Sequence, residues 1–213
     1  MPRPLSTLDV AGVIGVFTDI DDTLTRDGRM PASSLAAIER LVACGIAVVP
    51  VTGRSAGWAH MAMHLWPVDA VIAESGGLYL DRDPAHRLRW TFHADPARVR
   101  AGRQALERVV ERLLADQPAL AAASDNAFRL VDVAIDYCEA VTRAPDEVVQ
   151  AAIDTLRGAG FQARASTVHV NAWEGDFDKA PMALRYLGER RSGAAADPLR
   201  WVFIGDAPND ESM

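Results

Sequence analysis

The stretch Phe17-Thr18-Asp19-Ile20-Asp21-Asp22-Thr23 decides how the first third of this chain is interpreted. It continues the apolar run Val13 to Phe17, which predicts a buried strand. Carboxylates and hydroxyls then follow at the carboxyl end of that strand. Two carboxylates separated by one residue are costly unless a cation or a proton holds them together. The turn therefore indicates a site of chemistry, although a solvated turn between a strand and a helix is the simpler alternative.

Apolar strand-like runs alternate with helical patterns on either side of this turn. Further strands are predicted at Ile46 to Val51 and at Ala70 to Ala73, and helices at Ser33 to Cys44 and around Trp58 to Leu65. This alternation is typical of a parallel sheet flanked by helices. We therefore expect an α/β fold.

The pattern changes after Gly76-Gly77, where two short antiparallel strands are predicted at Leu78 to Leu80 and Leu88 to Phe92. Helices and half-buried strands then share the middle of the chain. The helices are expected at Pro96 to Asp116 and Pro145 to Arg157, and the strands at Leu130 to Tyr137, Phe161 to Ala165 and Val168 to Ala172. This section predicts a small helix-on-sheet layer inserted into the first fold.

The end of the chain again has the alternating helix and strand pattern of the first third. It predicts a helix from about Asp178 to Arg190 and a buried strand at Trp201 to Ile204. The loop Gly205 to Asp210 follows directly. The sequence stops at Met213, where an α/β unit would begin its next helix. The expectation is a core that is incomplete at its C-terminus.

Three further polar clusters lie near the ends of predicted strands, where ligands bind in open α/β sheets. Thr52-Gly53-Arg54 offers a hydroxyl, an accessible N–H and a cation for a phosphoryl oxygen. Lys179 starts a helix, where an anion is favoured. Taken alone, Thr-Gly also fits an ordinary turn, and a lone lysine is commonly a solvated surface charge.

The third cluster is acidic: Asp206 and Asp210 flank Asn209 in the last loop. Hard oxygen ligands of this kind suit Mg²⁺, which typically uses one or two carboxylates together with substrate phosphate and water. Asp206 also fits the N-cap of a following helix. The two interpretations are compatible.

Composition limits the range of partners. The 213 residues carry a formal net charge of -7, which argues against nucleic acid as the main partner. The two cysteines, Cys44 and Cys138, have no CxxC spacing, and we expect reduced thiols in the core. Neither a signal peptide nor a run of about 20 apolar residues is present, so a cytoplasmic location and no membrane association are expected.

Together, and in this order, the clusters resemble the haloacid dehalogenase-like superfamily of phosphatases. Asp19-x-Asp21-x-Thr23, Thr52, Lys179 and Gly205-Asp206-x-x-Asn209-Asp210 match its four motifs. The Thr52-Gly53-Arg54 form and the position of the inserted section between the second and third motifs resemble the subgroup of sugar-phosphate phosphatases. This subgroup includes sucrose-phosphate, trehalose-phosphate and mannosyl-3-phosphoglycerate phosphatases and Cof-like enzymes. It implies a Rossmann-like core, residues 1–82 and 174–213, with an inserted α/β cap of type C2 at residues 83–173.

The resemblance also implies a role for each matched residue. Asp19 would attack phosphorus, and Asp21 would protonate the leaving alcohol and then activate water. The implied catalytic set is Asp19, Asp21, Thr52 and Lys179. The implied phosphate-binding set is Thr23, Gly53 and Arg54. The implied Mg²⁺ ligands are Asp19, Asp21, Asp206, Asn209 and Asp210. The substrate would be a sugar phosphate or a similar small phosphorylated metabolite.

Three other functions stay open at this point. A phosphomutase would pass the phosphoryl group from the aspartate to a second sugar hydroxyl instead of to water. A signalling receiver domain also combines an acidic cluster, a threonine and a lysine, but the large insert has no place in that fold. A binding protein could keep the metal site without turnover. The sequence does not indicate an oligomeric state. It has Glu74-Ser75-Gly76-Gly77 where many relatives have Glu-Asn-Gly, and this difference leaves the identity of the substrate open.

Overall fold

The computed structural model describes residues 10–206 and residue 213. Within this part of the chain the elements alternate as the sequence predicts. Strands β1 to β10 are Gly15–Thr18, Ala47–Pro50, Ala70–Ala73, Leu78–Arg82, Leu88–Phe92, Ala121–Ala122, Val133–Asp136, Gln162–Ala165, His169–Trp173 and Trp201–Ile204. Helices α1 to α5 are Ala32–Ala43, Ala56–Leu65, Pro96–Asp116, Asp146–Gly158 and Lys179–Arg190.

The core sheet is parallel and has β1 at its centre, with β10 on one side and β2 on the other. Gly15 is required in β1, because a Cβ there would overlap the ring of Trp201 on β10. β3 continues the sheet beyond β2 through a parallel bridge between Val51 and Ile72. The predicted Rossmann-like core is confirmed, and β1 and β2 end at the same edge.

β3 pairs antiparallel with β4, and β4 pairs antiparallel with β5. β5 thus joins the strands that extend the core sheet, although it falls inside the segment 83–173 that the sequence assigns to the cap. The domain boundary at residue 83 stays a prediction.

A second sheet is antiparallel, with the order β6-β7-β9-β8. Helices α3 and α4 pack on it around a buried apolar cluster that includes Leu106, Ile135, Leu156 and Val170. Asp95 caps α3 by accepting a hydrogen bond from the N–H of Ala97 at 2.8 Å. We call these four strands and two helices, together with the segments that connect them, the cap layer. The expected α/β insert is present, and a receiver domain has no such layer.

Three expectations about burial are wrong. Strand β10, predicted to be buried, is buried only at Trp201, and Ile204 is 51% exposed. Strands β7 and β9 are buried along their whole length. Helices α3 and α4 pack on them, and Asn171 on β9 donates to the carbonyl of Gly53 in the loop after β2.

The cysteines are free as expected, but Cys44 is exposed and Cys138 is only partly buried, so neither is a core thiol. Among the helices that the structure describes, none has the length and apolarity needed to cross a bilayer.

Candidate active site

Asp19 and Lys179 form an ion pair at the carboxyl end of β1. The N–H of Asp19 donates to the carbonyl of Ile204 at 2.8 Å, which fixes the residue beside the end of β10. Lys179 Nζ lies 3.1 Å from Asp19 Oδ1. The two residues are 7% and 2% exposed respectively. A buried carboxylate of this kind needs a cation beside it, and Lys179 supplies one.

Asp178 places Lys179 at the start of α5. Its Oδ1 accepts a hydrogen bond from the backbone N–H of Lys179 at 2.8 Å and so caps the helix. The 3-10 turn that ends at Gly76 packs against this start. Gly76 has a φ of 96°, and a Cβ there would overlap the carbonyl of Asp178. The sequence thus requires glycine where the turn after β3 meets the helix that carries the lysine.

Arg54 holds Asp21. Its Nε lies 2.9 Å from Oδ2 and its Nη2 lies 3.0 Å from Oδ1, so the pair is bidentate. A third nitrogen, Nη1, donates to Glu139 Oε1 in the cap layer at 2.9 Å. Burial alone would lower the pKa of Arg54, but the contacts with Asp21 and Glu139 raise it further above its ordinary value. Arg54 therefore stays charged and fixes the orientation of Asp21.

The Thr52-Gly53 loop is held by the hydroxyl of Thr52 and by a backbone contact with Ser75. Thr52 is fully buried, and its Oγ1 accepts a hydrogen bond from the N–H of Arg54 at 3.0 Å. The carbonyl of Thr52 accepts from the N–H of Ser75 at 3.1 Å. Gly53 and Ser75 line the cleft above Asp19, whereas Thr52 lies behind it. Thr52 thus stabilises the conformation of this loop.

The predicted metal ligands are only partly within the described residues. Asp206 lies two residues beyond β10, and its Oδ1 accepts a hydrogen bond from Thr23 Oγ1 at 2.9 Å. Asn209 and Asp210 lie outside the described residues. Among residues 10–206 and 213, no group of three or more His, Cys, Asp or Glu side chains is arranged to hold a metal ion.

The cleft has a volume of about 320 Å³ and lies between the core sheet and the cap layer. Glu139 is set in its wall by Asp136, whose carboxylate accepts hydrogen bonds from the N–H groups of residues 138–140. His169 Nε2 lies 2.9 Å from Glu139 Oε2. Burial lowers the pKa of His169, although Glu139 partly opposes this. The cap layer thus presents a fixed carboxylate to the cleft.

Arg164 closes another side of the cleft. Its Nη1 lies 2.6 Å from Asp178 Oδ2, so the cap layer contacts the capping residue of α5. Its guanidinium also lies over the ring of Trp173, at 5.9 Å from the centroid. Trp173 is 1% exposed, so its face is not available for stacking.

A second group of buried charges joins the cap layer to the core, and we call Glu74 with residues 129–132 the joint. The carboxylate of Glu74 accepts hydrogen bonds from the N–H groups of Leu130, Val131 and Asp132, and from Ala56 at the start of α2. Burial, with the Asp132 charge beside it, raises the pKa of Glu74 to about 7. The joint thus holds residues 130–132, which directly precede β7, against the end of β3.

Arg129 lies at the centre of the joint and is 1% exposed. Its guanidinium contacts Asp125 at 2.9 Å and Asp132 at 2.8 Å. Burial would lower the pKa of Arg129, but these two carboxylates keep it raised. The same guanidinium donates to the carbonyl of Gly53 at 2.9 Å.

The sequence did not point to Glu139, Arg164 or Arg129, because nothing in their local pattern separates them from surface charges. The composition does single out Lys179, because it is the one lysine among the 22 Lys and Arg residues of the sequence. Arginine and lysine are not interchangeable. One lysine in an arginine-rich chain therefore indicates a position that requires a compact ammonium.

Residues 16–93 match the family model described as haloacid dehalogenase-like hydrolase. No curated protein matches the sequence significantly. Among solved structures, a protein from Thermoplasma acidophilum is 18% identical with a TM-score of 0.73, over 94% of this chain and 80% of that one. The C-terminal domain of C. albicans trehalose-6-phosphate phosphatase is 12% identical with a TM-score of 0.69, over 97% and 77%.

A truncated Plasmodium falciparum IMP-nucleotidase is 13% identical with a TM-score of 0.58, over 92% of this chain and 63% of its own. At such identities the structural likeness establishes the fold. The family match adds the hydrolase class to it. The predicted α/β fold, the superfamily resemblance and the assignment as an enzyme are thereby confirmed.

Proposed function

We propose that this chain, whose residues 16–93 match the haloacid dehalogenase-like hydrolase model, is a Mg²⁺-dependent phosphatase that uses Asp19 as its nucleophile. One observation carries the proposal. The carboxylate of Asp19 lies buried on Lys179 beneath the cleft, at the carboxyl end of the central strand. The phosphatases named among the structural neighbours support the same reaction class.

In the first step an oxygen of Asp19 attacks phosphorus, and the bond from phosphorus to the leaving oxygen breaks. Covalent catalysis of this kind divides one difficult step into two easier ones. The ammonium of Lys179 and the N–H of Gly53 are placed to bind phosphoryl oxygens as negative charge shifts onto them. Thr52 contributes by holding the loop that carries Gly53.

Asp21 transfers the protons. It gives a proton to the leaving alcohol in the first step and takes one from the attacking water in the second. The guanidinium of Arg54 donates hydrogen bonds to both carboxylate oxygens of Asp21, and it also donates to the carboxylate of Glu139. Arg54 therefore contacts both carboxylates at once and holds Asp21 in one orientation.

The described residues fit Mg²⁺ in their chemistry. Asp19 and Asp206 follow neighbouring strands and offer only oxygen ligands, as Mg²⁺ prefers. We propose that they hold the ion together with the backbone carbonyl of Asp21 and with Asn209 or Asp210. When bound, Mg²⁺ neutralises charge between the carboxylate and the phosphate.

The charges of the cleft favour a neutral leaving group. Six carboxylates line it: Asp19, Asp21, Asp22, Asp27, Glu139 and Asp178. Three cations face them: Arg54, Arg164 and Lys179. A second anionic group on the substrate would meet this acidic excess. A hydroxyl-rich group can instead donate hydrogen bonds to carboxylates such as Glu139, which favours a sugar monophosphate.

A nucleotide is the competing substrate, because IMP-nucleotidase shares the fold. A purine base is commonly bound by stacking on an aromatic face. Within the described wall of the cleft, Trp173 is the one aromatic of this size, and Arg164 covers it. The cleft thus favours a sugar over a base.

A phosphate-release screen with Mg²⁺ over sugar monophosphates, nucleoside monophosphates and phosphoglycerate conjugates tests the proposal. Asp19→Asn should lower release from the best substrate at least 10³-fold, on the order expected when a covalent nucleophile is removed. Asp27→Asn is the matched control at the exposed rim and should keep most of the activity. Equal rates for Asp19→Asn and the parent chain would contradict the mechanism. Analysis of the products separates hydrolysis from the transfer of a mutase.

A further inference from the structure

Gly53 lies between two peptide units that have four hydrogen-bonding groups. Three of these groups are engaged. The carbonyl of Thr52 accepts from Ser75, the N–H of Arg54 donates to Thr52 Oγ1, and the carbonyl of Gly53 accepts from two side chains. The fourth group, the N–H of Gly53, makes no hydrogen bond to any residue that the structure describes. Because Gly53 lies in the wall of the cleft, this N–H can donate a hydrogen bond to an oxygen of a bound ligand.

The two donors to the Gly53 carbonyl both come from outside the core sheet. Arg129 Nη1 lies 2.9 Å from it and Asn171 Nδ2 lies 3.2 Å from it. Asn171 is on β9 and is 4% exposed. Asp132 joins the two donors, since its carboxylate accepts from Arg129 at 2.8 Å and from Asn171 at 3.0 Å.

These contacts form a chain of fixed groups from one loop of the core to another. Glu74, after β3, binds the N–H groups of residues 130–132. That segment carries Asp132, which holds Arg129 and Asn171 on Gly53.

The N–H of Gly53 belongs to the preceding peptide unit, whose carbonyl, that of Thr52, accepts from Ser75. The carbonyl of Gly53 belongs to the following unit, which Arg129 and Asn171 hold. With both units held, the φ and ψ of this glycine are fixed, and so is the direction of its N–H.

We propose that Arg129 and Asn171 are positioning residues that hold the peptide unit after Gly53. Together with Ser75 on the unit before it, they keep the N–H of Gly53 facing the cleft, where it binds a phosphoryl oxygen. Neither residue takes part in the chemistry. The inference rests on the proposed function and goes beyond it, because it makes the phosphate loop of the core depend on the cap layer.

Asn171→Ala is the appropriate test, because removing Arg129 leaves Asp125 and Asp132 buried without their cation. Asn126→Ala is its matched control. Asn126 makes two hydrogen bonds to the backbone of Ala134 in the cap layer, at 2.7 and 2.8 Å, and does not contact Gly53. Both variants lose an asparagine side chain from the same layer, so the control reports the general cost of loosening it.

The measurements are binding of inorganic phosphate by calorimetry and kcat with two substrates that differ in their leaving groups. Asn171→Ala should weaken phosphate binding and lower kcat by roughly 10-fold to 100-fold, since small misplacements of a catalytic donor have effects of this size. The loss should be the same for both substrates. Asn126→Ala should keep the phosphate affinity and kcat of the parent chain even where its Tm falls.

Other results would overturn the inference. Equal phosphate affinity in Asn171→Ala and Asn126→Ala contradicts it, and so does a loss confined to one substrate, which indicates direct contact with the leaving group. A parent chain that binds phosphate but hydrolyses no monoester contradicts the proposed function while the binding comparison still tests Asn171. A parent chain that binds no phosphate contradicts the positioning role itself.

Discussion

The floor of the cleft and the joint both contain buried charges, but they expose them differently. Asp19 and Lys179 are nearly buried yet line the cleft. Arg129 and Asp132 are as deeply buried, and neither reaches the cleft. The charges of the joint are matched by carboxylates, carbonyls and backbone N–H groups. The difference indicates that one cluster meets a ligand, whereas the other fixes two layers of the protein.

Arg129→Met should give the largest loss of stability. It leaves Asp125 and Asp132 without their cation, and breaking a buried pair in this way costs about 3–5 kcal/mol. The free energy of unfolding, measured with urea, checks the expectation.

Arg164→Met is the matched control for the joint, because Arg164 is about half exposed and its pair with Asp178 lies in the cleft wall. Exposed pairs contribute about 0–1 kcal/mol. If the free energy of unfolding falls by the same amount in both variants, the buried charges of the joint contribute no more to stability than an exposed ion pair, which contradicts the expectation.

Lys179→Arg should keep the charge of the cleft floor and still lose activity. The planar guanidinium is larger than the ammonium and does not fit against Asp19 in the same position. We expect kcat to fall about 10²-fold, close to the loss of one oxyanion-binding group. Arg54→Lys is not an equivalent exchange, since it removes a bidentate contact. A Lys179→Arg chain with the parent kcat would show that only the charge at this position matters.

The pH dependence of stability should report the protonation of Glu74. The pKa of Glu74 in the folded chain is raised to about 7 from an ordinary value of 4.5. The folded chain therefore holds this proton more tightly than the unfolded chain. The stability from this group is fully present below pH 4.5 and is lost as the pH rises through about 7.

Glu74→Gln provides the reference, because its side chain does not titrate. At about 1.4 kcal/mol per pKa unit, the parent chain should lose on the order of 3 kcal/mol relative to this variant between pH 4.5 and 8. Unfolding free energies measured at several pH values check the difference. A constant difference across this range would contradict the raised pKa.

Glu139→Gln should have the smallest effect on folding. The side chain of Glu139 is 35% exposed, so its ion pair with Arg54 contributes less than about 1 kcal/mol to stability. Its effect should instead appear in kcat/KM and vary with the leaving group, since it lines the cleft. A uniform loss across substrates would place Glu139 in the proton-transfer step with Arg54 and Asp21.

The sequence predicted those parts of the molecule that have a local signal. The spacing in Asp19-x-Asp21 and the loop at Thr52 follow strands, and strand ends at one sheet edge must lie together. The structure brings Asp19, Asp21, Gly53, Arg54 and Lys179 to one cleft. The specific roles of these residues, the Mg²⁺ site and a cytoplasmic location remain predictions.

The joint could not be predicted in the same way. Glu74 and Asp132 are 58 residues apart in the chain, and no spacing rule connects them. The alternating Asp132 and Asp136 indicated a half-buried strand, because an aspartate is rarely fully buried unless its charge is paired. Their partners are Arg129 and a set of backbone N–H groups. Burial was misjudged because these partners come from tertiary structure.

Chemical trapping of the phosphorylated enzyme tests the central claim most directly. The parent chain is mixed with its best substrate and Mg²⁺, quenched in acid within one turnover and reduced with borohydride, which converts an aspartyl phosphate to homoserine. Peptide mass spectrometry should then place homoserine at residue 19 and at no other aspartate. Homoserine at another position, or its absence during rapid phosphate release, would contradict Asp19 as the covalent nucleophile.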